Sequence, residues 1–572
     1  MSRSGFADRF SLAGLVVEQG ARRLRRGLAA PARLVSVLRA RAPEQLVIAP
    51  QDLRTADPTI AADIYGGYFV FYGQAVDTHG ESPFAVVSPS PAWSQALMGF
   101  GWLRHLRAAD TALARANARA LVDDWIAACG APPASDPGGR SAHEAGWDVA
   151  VTARRMMSWL SQSPLILDGA DRPFYRRFMR SFGRQAAWLT SALQGGATGE
   201  ARLSAAIALA GLGICADGVD ALRRRALKLL AAELDRQILP DGGHVGRNPA
   251  VLVETLLDLL PLRQAFAARG LEAPPQLLNA IDRMAPMLRL LRHGDGALGL
   301  FNGMGATRPE ALATLLAYDE SGGAGLVNAP HAGYARLQAG AATALVDVGP
   351  APPRAFSAEA HAGCLSFEFS AAGERLIVNC GAPPRNRAAQ REASRQTAAH
   401  STLVVADVSS CRFAPSRALS AWIDAQIIAG PRKVDVARDE SGRALEATHD
   451  GYLRRFGLRH RRRLILSPDA LEGEDELVAA PGHAGAAPEA ALRFHLHPAL
   501  AVSPAPDGAG VQLTTPSGAV WLFLCDAPAA LEESVLFAAP HGPTPTTQIV
   551  VAVPEGERRL ARWAIRRMAN SG

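Results

Sequence analysis

CLSFEFSAAGERLIVNCG, residues 364–381, decides the fold. Two short runs rich in aromatic and branched residues flank Ala-Ala-Gly, which is the text of a β-hairpin. Runs of the same kind recur around it: ATALVDVG (342–349), STLVVADV (401–408), LRFHLHP (492–498), GVQLTT (510–515), AVWLFLC (519–525) and TQIVVAV (547–553). Each is bounded by Gly, Pro, Asp or Ser, and no helical text lies between most of them. That spacing predicts an antiparallel β-sandwich over residues 331–572.

Upstream the period changes. WSQALMGFGWLRHL (93–106), VAVTARRMMSWLSQ (149–162), YRRFMRSFGRQAAWLTSAL (175–193) and ALRRRALKLLAAELDRQIL (221–239) place apolar residues three and four apart. Many helices in series with short connections predict an all-α layer of helical hairpins over residues 47–325. The seam falls in SGGAGLVNAPHAG, 321–333. Residues 47–75, with Tyr65-Gly-Gly-Tyr68 ahead of Phe-Val-Phe-Tyr, read as a cap on the helical layer. Residues 1–46 read as a basic amphipathic arm whose arginines fall at helical spacing with Leu and Val; an exposed helix is preferred to a membrane-surface anchor.

Composition bounds the function. The chain has 572 residues, 48% hydrophobic and 20% charged, which excludes a disordered protein. Net charge is +6, and arginine supplies nearly all the cations, since Lys228 and Lys433 are the only lysines. Arginine suits bidentate capture of carboxylate or sulfate, although a high-GC genome explains the bias as well. Six scattered cysteines form no C-x-x-C pair, so neither a zinc ribbon nor a disulfide framework is indicated. The longest apolar run, 203–216, is too short for a transmembrane segment. Without a clear signal peptide the expected location is cytoplasmic, with the periplasm as the alternative. Oligomeric state is not legible. Aromatics are 6% of residues and do not interleave with the arginine runs, which argues against nucleic acid.

DGGHVGRNPAVLVETLLDL, 241–259, is the densest candidate site. Asn248 before Pro249 marks a helix start. His244 and Arg247 stand in the turn ahead of it, and a helix N-terminus favours anions. The set makes a pocket for a sugar carboxylate. The alternative stays open: Asn248 caps, Gly242 and Gly243 turn the chain, and His244 bonds the backbone.

In the order HAGYARLQAGAATALVDVGPAPP, AEAHAGCLSFEFSAAGERLIVNCG, RQTAAHSTLVVAD, ATHDGYLRRFGLRHRRRLILS, EGEDELV and LRFHLHP, together with DGGHVGRNP, the chain resembles the heparinase II/III-like family of polysaccharide lyases. The resemblance spans roughly residues 50–550. It implies an incomplete (α/α) toroid followed by an antiparallel sandwich, and β-elimination on an acidic polysaccharide or oligosaccharide. That reaction needs a carboxylate neutraliser, a base at C5 of the uronate and an acid at the leaving oxygen. By the resemblance, His244 and His400 are catalytic candidates, with Tyr318 as a replacement acid. Arg247, Asn248, Arg391 and Arg395 are substrate-binding candidates. No cofactor is required, but some members hold a structural zinc, for which His400, Asp407 and His449 are the candidates. His495 and His497 alternate on one strand face, a geometry that suits a metal pair or half-buried packing.

Two departures qualify the expectation. Where active relatives carry tyrosine and histidine after the helix start, this chain has Val251 and Leu252. Where they carry an Asn-His pair, it has Glu200 and Ala201. The leading reading is therefore a lyase or lyase-derived protein, and the alternative is a catalytically degenerate acidic-glycan binder. A toroid glycoside hydrolase would need two flanking carboxylates, for which only Glu144 and Asp148 offer themselves. In RRFGLRHRRR, 454–463, strand alternation predicts that about half the arginines face water.

Overall fold

The computed structural model describes residues 34–133, 142–319, 325–423, 426–482, 488–505, 510–554 and 559–568, with positions 14, 16, 17, 19–21, 24, 27 and 508. The chain folds as two compact units. One comprises residues 17–237 and 254–281; the other takes residues 1–16, 238–253 and 282–572.

The first unit is built of helices: α1 (Ile60–Tyr65), α2 (Pro91–Met98), α3 (Leu103–Ala109), α4 (Ala112–Cys129), α5 (Ala142–Gly146), α6 (Val149–Ser161), α7 (Ser163–Leu167), α8 (Arg172–Gln194), α9 (Gly199–Cys215) and α10 (Asp220–Gln237). They are the helical hairpins of an incomplete (α/α) toroid. Short polar residues start them: the side chains of Ser90, Thr111, Asp148 and Asp171 accept the first free N–H groups of α2, α4, α6 and α8. Helix α9 is buried on nearly every side, as its unbroken apolar text requires. Two short ladders trim the unit, β1 (Gln45–Leu46) with β4 (Ala216–Asp217), and the hairpin β2 (Tyr68–Phe71) with β3 (Gln74–Asp77).

Aromatic packing holds this unit together. Trp125 meets Phe100, Trp147 and Trp159, and Trp159 meets Phe178 and Phe182. Arg155 lies 3.9 Å above the Trp125 ring, fully buried. It donates to Gln185 Oε1 (2.9 Å) and to the carbonyls of Gly146 (2.6 Å) and Met98 (3.1 Å). Burial without a carboxylate partner pulls its pKa down to about 9. No helix among the described residues is long and apolar enough to cross a membrane.

Helix α11 (Pro249–Ala268) begins in the second unit and ends in the first; α12 (Pro275–Leu290) and α13 (Pro309–Ala317) follow. The sandwich then forms from β5 (Asn328–Ala329), β6 (Tyr334–Ala339), β7 (Ala342–Asp347), β8 (Phe367–Ala371), β9 (Glu374–Val378), β10 (Leu403–Val405), β11 (Arg412–Phe413), β12 (Ile427–Ala429), β13 (Val434–Arg438), β14 (Ala444–His449), β15 (Leu458–Ser467), β16 (Ala470–Ala479), β17 (Ala490–Leu496), β18 (Ala501–Pro504), β19 (Val511–Thr514), β20 (Val520–Cys525), β21 (Ala529–Leu536), β22 (Thr544–Ala552) and β23 (Arg559–Arg567). One sheet runs β21-β22-β17-β9-β8-β7-β6-β5, with β10 also on β17; the other runs β13-β14-β15-β16-β23-β20-β19-β18; β11 and β12 pair only with each other, outside both. Every pairing is antiparallel, and β8–β9 is the hairpin predicted from residues 364–381.

Alternation sorts the arginine run of β15. Arg459, Arg461 and Arg463 face outward, while His460 and Arg462 face the core. Outside, Arg461 pairs with Glu476, Arg562 with Glu474 and Arg566 with Glu472, a cross-strand charge ladder. Inside, Arg462 binds Asp475 and the carbonyls of Leu365 and Ser401, while Trp563 and His460 also donate to Asp475. Burial raises the Asp475 pKa, but Arg462 and His460 outweigh it and leave it at about 2.

Candidate functional site

The segment before α11 belongs to the sandwich unit. Gly242 sits at φ +83°, with its α-carbon against the backbone of Arg283. Asp241 accepts from the backbone N–H groups of His331 (2.7 Å) and Ala332 (2.8 Å), tying the turn to the approach of β6. Asn248 Oδ1 accepts from Ala250 N (2.9 Å), so Asn248 caps α11 ahead of Pro249, as its sequence predicts.

Arg247 is at φ +64°, and its guanidinium points into the sandwich unit. It binds Asp347 at the end of β7 and donates to the carbonyls of Ala332 (2.8 Å), Gly333 (3.0 Å) and Pro350 (2.7 Å). Tyr334 lies beneath it at 4.9 Å and donates its hydroxyl to the Arg247 carbonyl. Asn302 donates to the second Asp347 oxygen at 3.1 Å. Burial opposes both charges. For the guanidinium, Asp347 outweighs burial and holds it protonated; the Asp347 carboxyl is pushed up by burial, with Arg247 pulling it back. Expected as a contact for a sugar carboxylate, Arg247 instead has its donors occupied by a carboxylate and carbonyls of its own chain.

His244 is buried, with Nδ1 accepting from Gly246 N at 3.0 Å and its ring edge-on to Phe356. Burial lowers its pKa to about 3. Val251 and Leu252 occupy the first turn of α11, and neither side chain has an ionisable group that could transfer a proton.

His400 is paired with a residue that sequence reading passed over. Its Nδ1 bonds the Gln396 carbonyl (2.8 Å), so the proton sits on Nδ1 and Nε2 accepts. Nε2 faces Nδ1 of His361 at 3.2 Å. Both rings are buried, which takes His400 to about 4 and His361 well below its usual value. Around them the nine-stranded sheet carries further polar residues in apolar strands. Asn379 Oδ1 accepts from Ser401 N (2.9 Å). Glu368 binds His293 Nε2 (2.9 Å) and accepts from Asn379 N (2.8 Å), and His293 Nδ1 meets Ser370 (2.9 Å). Each could have been found in sequence as a lone polar residue inside a strand run: Asp347 in LVDVG, Glu368 in FEF, Asn379 in LIVNCG. Such residues must be buried and paired.

The remaining candidates disperse. Arg395 is buried, donates to Ala358 O (2.6 Å) and stacks over Phe413. Arg391 pairs with Glu359 and donates to Pro383 O. Tyr318 closes the C-terminus of α13. His495 donates Nε2–H to Ala398 O (2.9 Å) and takes the Ser534 hydroxyl on Nδ1 (2.7 Å); His497 accepts from Ala499 N. The three zinc candidates do not form one ligand set. The Asp407 side chain is 94% exposed. His400 is bonded to Gln396 and His361, and His449 on β14 accepts from Gly451 N and packs edge-on to His460. Among the described residues no group of three or more His, Cys, Asp or Glu is arranged to hold a metal ion.

The heparinase II/III-like C-terminal domain model matches residues 321–564. FtsZ-localized protein C of Caulobacter vibrioides is 35% identical over 501 residues, covering 85% of this chain and 83% of that protein. Among solved structures, a heparinase III aligns with a TM-score of 0.71 and 14% identity, over 95% of this chain and 90% of its own. A heparan sulfate lyase mutant from Pedobacter heparinus aligns at 0.62 and 16%, over 96% and 89%. Those two likenesses speak for the fold. The domain match and the Caulobacter relative, aligned over most of both chains, place this chain in the heparinase II/III-like family.

Proposed function

We propose that this chain is a catalytically silent member of its family, a binding protein that is localised with FtsZ, as the name of its Caulobacter relative says of that protein. What carries this reading is the start of α11. Val251 and Leu252 stand where proton-transfer residues are expected, and Arg247, the nearest cation, is spent on Asp347. Elimination needs a base and an acid with pKa values near the working pH. His244 at about 3 and His400 at about 4 are neutral, buried and hydrogen-bonded inside the protein. We place the protein in the cytoplasm: all six cysteines are free, five of them buried.

The second reading is a lyase on a uronate-containing polysaccharide, favoured by one feature, the His361–His400 pair beside the Glu368–His293 pair. Incubation with heparin, heparan sulfate, chondroitin sulfate and alginate separates the two. The silent reading expects no ultraviolet-absorbing unsaturated uronate from any of them. Its appearance, abolished by His400→Ala, would establish the lyase. A fluorescent fusion that co-localises with FtsZ and disperses on FtsZ depletion supports the first reading; a fusion indifferent to FtsZ removes it.

A further inference from the structure

The helical unit carries a groove of about 1040 Å³ between residues 36–43, the C-terminal half of α8 and the start of α10. That lies at the upper end of the ~300–1,000 Å³ typical of small-molecule pockets, so it has room for several residues of a peptide. Its walls are small or aliphatic, among them Ala40, Ala187, Gly195, Leu212, Val219 and Ala221. Small residues let another backbone come close.

The groove is rimmed by cations. Arg41 lines it. On α10, Ala221, Arg224, Arg225 and Lys228 follow at three- and four-residue spacing, so an exposed basic strip runs out of the groove from Ala221. Arg39 lies one turn beyond Ser36, which also lines it. Among the described residues none of Arg39, Arg41, Arg224, Arg225 and Lys228 forms an ion pair, whereas Arg223 is bound to Asp220 and Arg269 to Asp217. Glu44 packs against Gly218, which lines the groove. Beside it Val35 and Leu38 are 48% and 49% exposed. Unpaired cations and exposed apolar side chains around a concave, small-walled groove fit an occupant with acids on one side and apolar residues on the other.

We propose that this groove docks an acidic, amphipathic peptide segment of a protein partner, its apolar side chains in the groove and its carboxylates on Arg41, Arg224 and Arg225. A concave wall fits a peptide better than a flat lipid surface. The site is independent of whether the sandwich unit turns over a glycan.

The probe is a fluorescein-labelled peptide with leucine at i, i+3, i+4 spacing and glutamate elsewhere, titrated against the full chain by anisotropy. Saturable binding that weakens with salt is expected, and the same peptide with lysine for glutamate should not bind. The triple variant R41E/R224E/R225E should lose about tenfold or more in affinity. Ala221→Trp, at an exposed position that fills the groove, should also weaken binding while the unfolding midpoint stays unchanged. Failure of the acidic peptide to bind, or binding untouched by Ala221→Trp, overturns the proposal. So does displacement of the peptide by phosphatidylglycerol vesicles whose own binding depends on Arg224 and Arg225, which would assign the groove to lipid.

Discussion

Arg247 and Asp347, one hundred positions apart in sequence, form a buried ion pair that fastens the turn before α11 to the end of β7. The residue that most resembles a substrate contact in the sequence is a structural rivet in the fold. Removing one partner strands the other charge in a dry setting. Arg247→Ala should therefore cost about 3–5 kcal/mol, read from urea unfolding. Arg247→Met combined with Asp347→Leu should recover much of that loss, because the uncompensated charge is gone. A single variant within about 0.5 kcal/mol of wild type would show that the pair is solvated.

The buried histidines set an acid limit on stability. His244, His400 and His495 are held neutral, at about 3, 4 and 3, chiefly by burial. Above their unfolded value of about 6.5 they contribute no pH dependence. Below it the unfolded chain binds protons that the native state refuses. Stability then falls by roughly 1.4 kcal/mol per pH unit for each fully titrating histidine, until the folded pKa is reached. Urea midpoints should drop steeply between about pH 6 and 4.5, and His495→Asn should reduce the slope by about one proton. A flat profile over that range would show that these rings are hydrated.

Gly242→Ala should be among the most damaging single changes in DGGH. The position is left-handed, and an added Cβ would run into the backbone of Arg283, which cannot rotate away. A loss of at least about 2 kcal/mol is expected. Gly270→Ala, also left-handed but facing open space, should pay only the conformational term of about 1–2 kcal/mol. Thermal unfolding of both variants compares the two costs directly; equal losses would mean that the turn relaxes away from Arg283.

Stripping metal should leave the fold unmoved. His400, Asp407 and His449 do not share a site, so dialysis against a chelator should not shift the melting temperature, and elemental analysis of the purified chain should find no stoichiometric zinc. Asp407→Asn, at a side chain that is 94% exposed and in a left-handed conformation that asparagine also tolerates, should change stability by no more than about 0.5 kcal/mol. Stoichiometric zinc lost together with stability would overturn this.

The sequence by itself determined the elements and their class. Most period-two text after residue 331 became strands, although short helices also form at Ala388–Ser394 and Arg417–Ile423; most period-three-to-four text before it became helices, and Asn248-Pro249 began a helix, because these follow from local backbone chemistry and from which face must be hidden from water. It also predicted that the arginines of β15 would divide, since alternation is a property of the strand. Only the tertiary structure decided what the polar residues do. Whether Arg247 meets a ligand or Asp347, whether His400 meets a metal or His361, and whether Asp407 turns inward depend on contacts between segments tens to a hundred residues apart. No local period encodes such contacts; they are fixed when the sheets close and each buried charge or donor must find a partner.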